Sequence, residues 1–325
     1  LADLNIKQFE VLQTDMGILN VSGKSKGSGG YDFNLSLKEG VADLDVIGDY
    51  IDSPEAAMID LNLDINRIDF KAFENFSQGE LSNASGILKG NITVTGTTLE
   101  PNYNGTINFE NANFEITKLN APFLLANEEL RLDNKGIYFD NFKIQDANSN
   151  AISVSGEVGT ESFIIPTFDL KLKAKNFKAL NSTKDDFDLV YGTVVFDADA
   201  SITGDLNLPD VKLSLTVNSA TDVTYVLPPS EVQIESKEGV VIFVNKENPD
   251  AILTNNKEDS YTVSGFEIDA DLSIAKGAIF NLVIDEQTGD NFQVTGTGDF
   301  KYNMYPNGRM TLSGRYNVND GHESL

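Results

Sequence analysis

Apolar and polar residues alternate one by one along most of this 325-residue chain, and this pattern restricts its fold more than any other feature. Between residues 197 and 203, Ala198, Ala200 and Ile202 are separated by single polar residues. Successive side chains of a β-strand point to opposite faces, so a period of two gives each strand one apolar and one polar face. Such strands are typical of antiparallel sheets with one face in water. The same spacing recurs in residues 59–66, 168–175 and 266–274.

Helix signals are few. Phe70, Phe73 and Phe76 stand three apart, which predicts a short helix near residues 68–77 that ends at Gly79. The rest of the chain is predicted to be strand and turn. We therefore expect an all-β fold, in which mostly antiparallel strands of similar length form one long continuous sheet.

A tripeptide of an aliphatic residue, Ser or Thr, and Gly recurs along the chain. Its copies end at Gly23, Gly96, Gly156, Gly204, Gly265, Gly296 and Gly314. Because glycine tolerates the positive φ of a chain reversal, we interpret each copy as the end of a strand. No linker-like tract divides the chain, so we expect one continuous segment over residues 1–325, with a polar surface loop near 245–260. Since the sequence opens at Leu1, we expect it to be a fragment of a longer protein.

The amino-acid composition argues against several classes of function. The 50 Asp and Glu residues outnumber the 24 Lys and Arg residues, giving a net charge of -26, which argues against nucleic-acid binding. The chain has one His and no Cys, so it lacks the residues of most nucleophilic and zinc sites. The carboxylate pairs Asp197/Asp199 and Asp269/Asp271 are interpreted as parts of a solvated face. We predict no catalytic, cofactor or metal site, and no enzyme.

Residues 84–116, ASGILKGNITVTGTTLEPNYNGTINFENANFEI, resemble the C-terminal region of the TamB family, within the AsmA-like superfamily. The composition, rich in Asn and Asp, resembles the Bacteroidota members. Within this segment the resemblance includes Asn111–Phe114. It extends through these further motifs: Asp140–Phe142, Asn176–Phe177, Leu312–Tyr316 and Asn319–Gly321.

The resemblance implies a curled sheet that forms an open amphipathic trough, called a β-taco, with apolar residues inside. It also implies a periplasmic protein of the translocation and assembly module, active in outer-membrane biogenesis. Such a protein carries phospholipid between the inner and outer membranes, assists outer-membrane protein assembly with a TamA- or BamA-type barrel partner, or does both. The full-length protein is then expected to be anchored in the inner membrane by a helix absent from this sequence.

In such a trough the alternating apolar residues become candidates for contact with acyl chains. The candidates are Phe168, Leu170, Leu172, Val194, Phe196, Ala198, Ile202, Phe266, Ile268, Leu272 and Ile274.

Three other interpretations of the pattern stay open. The apolar faces of two packed sheets would form an ordinary core in a β-sandwich. A secreted or surface β-repeat adhesin or glycan-binding protein would also be rich in strands. A β-helical polysaccharide enzyme would need regular coils, whereas the glycines here are irregularly spaced.

Overall fold

The computed structural model describes residues 2–162, 164–227, 265–285 and 289–324. Within these ranges the chain forms eighteen strands and one short helix, α1 (Ala72–Phe76). The strands are β1 (Ala2–Val11), β2 (Thr14–Gly27), β3 (Gly30–Glu39), β4 (Ala42–Ile51), β5 (Met58–Asp69), β6 (Leu81–Thr97), β7 (Pro101–Ile116), β8 (Ala121–Asp133), β9 (Gly136–Asp146), β10 (Ala151–Gly159), β11 (Thr167–Ser182), β12 (Val190–Asp205), β13 (Leu208–Val217), β14 (Asp222–Val226), β15 (Glu267–Ile274), β16 (Ile279–Asp285), β17 (Asp290–Met304) and β18 (Met310–Ser324). The all-β prediction is confirmed.

The strands form one sheet in chain order. From β1 to β12 each strand pairs antiparallel with the next. One part of β12 then pairs with β13 and the other with β14, so these two strands together occupy one position in the strand order. We call each such position a rung of the sheet. Likewise β15 and β16 share the next rung, parallel to β13 and β14, and both pair with β17, which pairs with β18. The parallel step between these two rungs was not predicted.

The sheet curls toward its apolar side. Phe123 of β8 and Phe177 of β11 stack with ring centroids 5.6 Å apart and ring planes 5° apart. In a flat sheet, strands three places apart would be separated by about 14 Å. The two rings can therefore meet only because the sheet bends around the face that carries them.

Asparagines lie at bulges in four strands of the curled sheet. Asn83, Asn111, Asn141 and Asn176 have φ between 48° and 55°, and each lies at a register shift in its strand. Asn tolerates this left-handed backbone better than most residues, and a β-bulge bends and twists its strand. The residue after each is buried: Ala84, Ala112, Phe142 and Phe177. The Asn-Ala and Asn-Phe motifs of the sequence thus mark bulges of the sheet.

Carboxylates accept hydrogen bonds from backbone N–H groups beside these bulges. Glu74 accepts from the Ala84 amide at 2.6 Å, and Asp197 accepts from the Asn176 amide at 2.7 Å. Glu128 accepts from Lys143, two residues beyond Asn141, at 2.8 Å. Because a buried N–H group without a partner is costly, these carboxylates stabilise the irregular backbone.

Two expectations need correction. The helix is shorter than the range 68–77, because Ile68 pairs with Ala42 and Leu88 and so extends β5.

Glycine does not end every strand that carries the tripeptide. Gly23, Gly156, Gly296 and Gly314 lie inside strands, and a Cβ at Gly156 would lie 2.0 Å from the Asp169 carbonyl oxygen. There the absent side chain lets the neighbouring backbone approach. The predicted loop near 245–260 lies outside the described residues.

Candidate functional site

The register of the strands places apolar residues opposite one another across the entire sheet. We call the longest such set the central row. From β1 to β18 its directly opposed members are Ile6, Leu19, Leu37, Leu44, Ile65, Gly90, Ile107, Leu130, Phe139, Gly156, Leu170, Ile202, Val211, Ile268, Met304 and Met310. Apart from the two glycines, every rung contributes an apolar side chain to one face.

A second row runs beside the first. Its members are Leu4, Val21, Leu35, Val46, Leu63, Ile92, Gly105, Leu132, Ile137, Val158, Phe168, Gly204 and Pro209. Both rows lie on the same face, since their members are two residues apart in each strand. At a strand spacing of about 4.8 Å, sixteen rungs extend this apolar face over roughly 70 Å, measured along the sheet.

The structure places the predicted groove residues on this face, with one exception. Leu170, Ile202 and Ile268 belong to the central row, and Phe168 to the second row. The remaining strand candidates lie further along the same faces of β11, β12 and β15: Leu172, Val194, Phe196, Ala198, Leu272 and Ile274. All of these are half-buried.

Phe266 is the exception. It precedes β15 instead of lying in it, and 55% of its surface is exposed. The predicted strand began one residue too early. Whether any of these side chains contacts lipid stays a prediction.

The opposite face is polar and carries cross-strand ion pairs. The Lys301 ammonium lies 2.8 Å from Asp269 and 3.4 Å from Asp271, and the hydrogen bond to Asp269 raises the pKa of Lys301. Lys173 pairs with Asp199 at 3.3 Å. Opposite charges across neighbouring strands stabilise a sheet modestly, and these pairs are solvated. Among the described residues, no cluster of three or more His, Cys, Asp and Glu side chains could hold a metal ion.

The middle of the apolar face is covered by the protein's own side chains. One buried cluster, which we call the covered patch, consists of Phe70, Ala84, Ala112, Leu125, Phe142 and Val154. A second, smaller cluster contains Ala121, Phe123 and Phe177. The alternation of apolar and polar residues does not indicate which part of the apolar face is buried. The Asn-Phe motifs do indicate it, because their aromatic residues follow the bulges and are buried.

The outer strands leave the same face open. Leu4 of β1 is 53% exposed, and Leu312 of β18 is 63% exposed. Leu312 lies directly opposite Tyr302, which lies opposite Ala270, so it continues a third apolar row. The apolar face is therefore filled near its middle and accessible toward both ends of the sheet.

In the part of the chain that the structure describes, no helix has the length and apolar character needed to cross a membrane.

Comparison with known proteins supplies the family. The family model of the TamB C-terminal domain matches residues 140–325, which is more than half of the chain. No curated protein and no solved structure matches the sequence. The matched range contains the bulge motifs of β9 and β11 and the rungs from β10 to β18. The chain therefore belongs to the TamB family, whose members act in the cell envelope as non-enzymatic components of the translocation and assembly module.

Proposed function

We propose that the apolar face binds the acyl chains of phospholipids in the periplasm and guides them along the sheet between the inner and outer membranes. The central row carries this proposal, because it gives every rung a side chain or glycine that an acyl chain can lie against. Exposing about 15 methylenes to water costs on the order of 12 kcal/mol. An uninterrupted apolar path would lower this cost over its whole length.

The distribution of charge supports an open trough. The acidic and basic side chains of β11, β12, β13 and β15 alternate with the apolar ones and lie on the opposite face. The outside of the curled sheet is then solvated, and its net charge of -26 opposes association between copies. Exposed apolar side chains such as Met310 and Leu312 of β18 offer entry sites at one end of the path.

We also propose that the protein assists outer-membrane protein assembly with a TamA- or BamA-type barrel partner. Among the described residues, β18 pairs only with β17, so its other edge can accept a further strand. In this arrangement the full-length protein is anchored in the inner membrane by a helix outside this sequence. Co-purification of the full-length protein with TamA tests the contact. Equal recovery of TamA after deletion of residues 310–324 would exclude β18 as the docking strand.

Photo-crosslinking tests lipid binding at neighbouring positions on opposite faces. A photoreactive residue replacing Phe196 or Ile268 should crosslink phospholipid in cells, detected by mass spectrometry of the purified protein. The same residue at Asp199 or Asp269 serves as the matched control, because these side chains lie on the polar face. Equal labelling from both faces, or labelling from the polar positions alone, would refute the proposal.

A further inference from the structure

The segment that follows Phe70, including α1, lies against the covered patch, to which Phe70 itself belongs. The ring of Phe70 contacts Phe109 and Phe114 of β7, with centroids 6.2 and 6.0 Å apart, and Phe73 packs on Phe70 at 4.9 Å. Phe70 is 8% exposed, and it shares its cluster with Leu125. The chain thus places its own aromatic side chains where the rest of the apolar face stays open.

Few polar contacts hold α1 in place. The Asn75 amide donates a hydrogen bond to the Thr14 hydroxyl of β2 at 3.0 Å, and Glu74 accepts one from the Ala84 amide. A helix of five residues has little stability of its own, because a short helix does not recover the cost of its nucleation. Its position therefore depends on the packing of Phe70 and Phe73.

The segment after α1 can serve as a hinge. Gln78 and Gly79 have φ of 56° and 91°, and no atom lies within 4 Å of the position that a Cβ of Gly79 would occupy. At the other end of α1, the Phe70 amide donates a hydrogen bond to the Gly86 carbonyl oxygen of β6 at 2.9 Å, so Phe70 stays with the sheet. A shift of α1 between Phe70 and Gly79 would separate Phe73 and Phe76 from the patch while β5 and β6 stay paired.

We propose that Lys71–Phe76 is a displaceable lid, and that an acyl chain replaces Phe73 and Phe76 on the covered patch as lipid passes the middle of the sheet. This inference rests on the proposed lipid-binding function. The acyl chain covers the patch when the lid opens, so the apolar surface that enters water is that of the displaced phenylalanine rings. The lid in its closed position divides the face into two accessible parts.

A reversible engineered disulfide, which we call a lock, tests the lid. The chain contains no cysteine, so Thr14→Cys with Asn75→Cys creates a single thiol pair that joins α1 to β2 on oxidation. A control lock of Ser82→Cys with Glu115→Cys lies beyond Gly79, where these residues of β6 and β7 are directly opposite each other. Diazirine-bearing leucine replaces Leu125 in the covered patch or Leu213 on the open face. The probe is phosphatidylethanolamine vesicles with a trace of radiolabelled lipid.

If the lid opens, lipid should label both Leu125 and Leu213 in the reduced protein. Oxidation of the Thr14–Asn75 pair should reduce labelling at Leu125 several-fold, leave Leu213 unchanged, and be reversed by reductant, whereas the control lock should change neither. Independently of any disulfide, Phe73→Ala should increase labelling at Leu125. If Leu213 is labelled but Leu125 is not in any state, or if the lock has no effect at Leu125, the lid is wrong. If neither position is labelled, the lipid-binding function itself fails.

Discussion

The phenol oxygen of Tyr103 lies 2.8 Å from Oγ1 of Thr160, although β8 and β9 separate their two strands. Tyr103 is near the start of β7, and Thr160 follows the end of β10. This hydrogen bond lies at one end of the strands. Helix α1 and the Phe123–Phe177 stack lie toward the other end. The sheet is therefore curled along the full length of its strands in this region.

Removing the Tyr103–Thr160 bond should weaken the curl. Tyr103→Phe and Thr160→Val should each lower the free energy of unfolding by about 1 kcal/mol, the usual net contribution of a hydrogen bond. Urea denaturation of the two single variants and the double variant would measure the coupling. Strict additivity of the two effects would show that the bond does not form in solution.

Asn111 should be replaceable by glycine but not by a β-branched residue. Its φ of 49° costs roughly 1–2 kcal/mol for most side chains, because Cβ then approaches the carbonyl oxygen. We expect Asn111→Val to lower the urea midpoint clearly and Asn111→Gly to leave it nearly unchanged. Equal effects of the two substitutions would mean that backbone strain does not decide this position.

Asp197 should make the fold sensitive to acid. Burial raises the pKa of this carboxyl, but hydrogen bonds from the Asn176 amide, Lys175 and Asn218 outweigh burial and lower it to about 2, from 3.8. A lowered folded-state pKa contributes stability above pH 3.8 that is lost as the pH falls toward 2.

Asp197→Asn should therefore be less stable than the wild type at pH 7 and similar to it at pH 2. Urea midpoints across this range measure the difference, with Asp199→Asn as the control on the same strand face. A constant difference between wild type and Asp197→Asn at every pH would contradict the assignment.

A new negative charge should lower lipid binding at one residue of β12 and leave it unchanged at the next. Ile202→Glu places a carboxylate in the central row, so the amount of phospholipid that co-purifies with the protein should fall several-fold. Ser201→Glu adds the same charge opposite Lys171 and Lys212 on the polar face, where it should leave lipid recovery unchanged. Quantitative lipid mass spectrometry of both variants would decide, and equal losses would argue against a face-specific path.

The two faces of the sheet were predictable from the sequence because their cause is local. Side chains alternate along every strand, so the spacing of Ala198, Ala200 and Ile202 assigned these residues to one face before any pairing was known. The helix was predictable for a similar reason, since phenylalanines three apart lie on one side of a helical turn. Its shorter length reflects the pairing of Ile68, a contact that no local pattern contains.

The burial of aromatic side chains at the middle of the apolar face could not be predicted in the same way. Phe123 and Phe177 are 54 positions apart in the sequence, and they stack because the sheet curls between β8 and β11. The parallel step from β13 to β15 likewise depends on pairing between distant segments. The role of Gly156 was misread because its closest neighbour is the backbone of β11, which the residues around it do not reveal.

The central row has a consequence for how such proteins change in size. Each strand contacts mainly its two neighbours, as in other repeat architectures. Inserting or deleting a hairpin would therefore alter the length by two rungs, about 10 Å, while every remaining side chain kept its face. Evolution could adjust a protein built in this manner to envelopes of different widths in steps of one hairpin, with no redesign of the strands on either side.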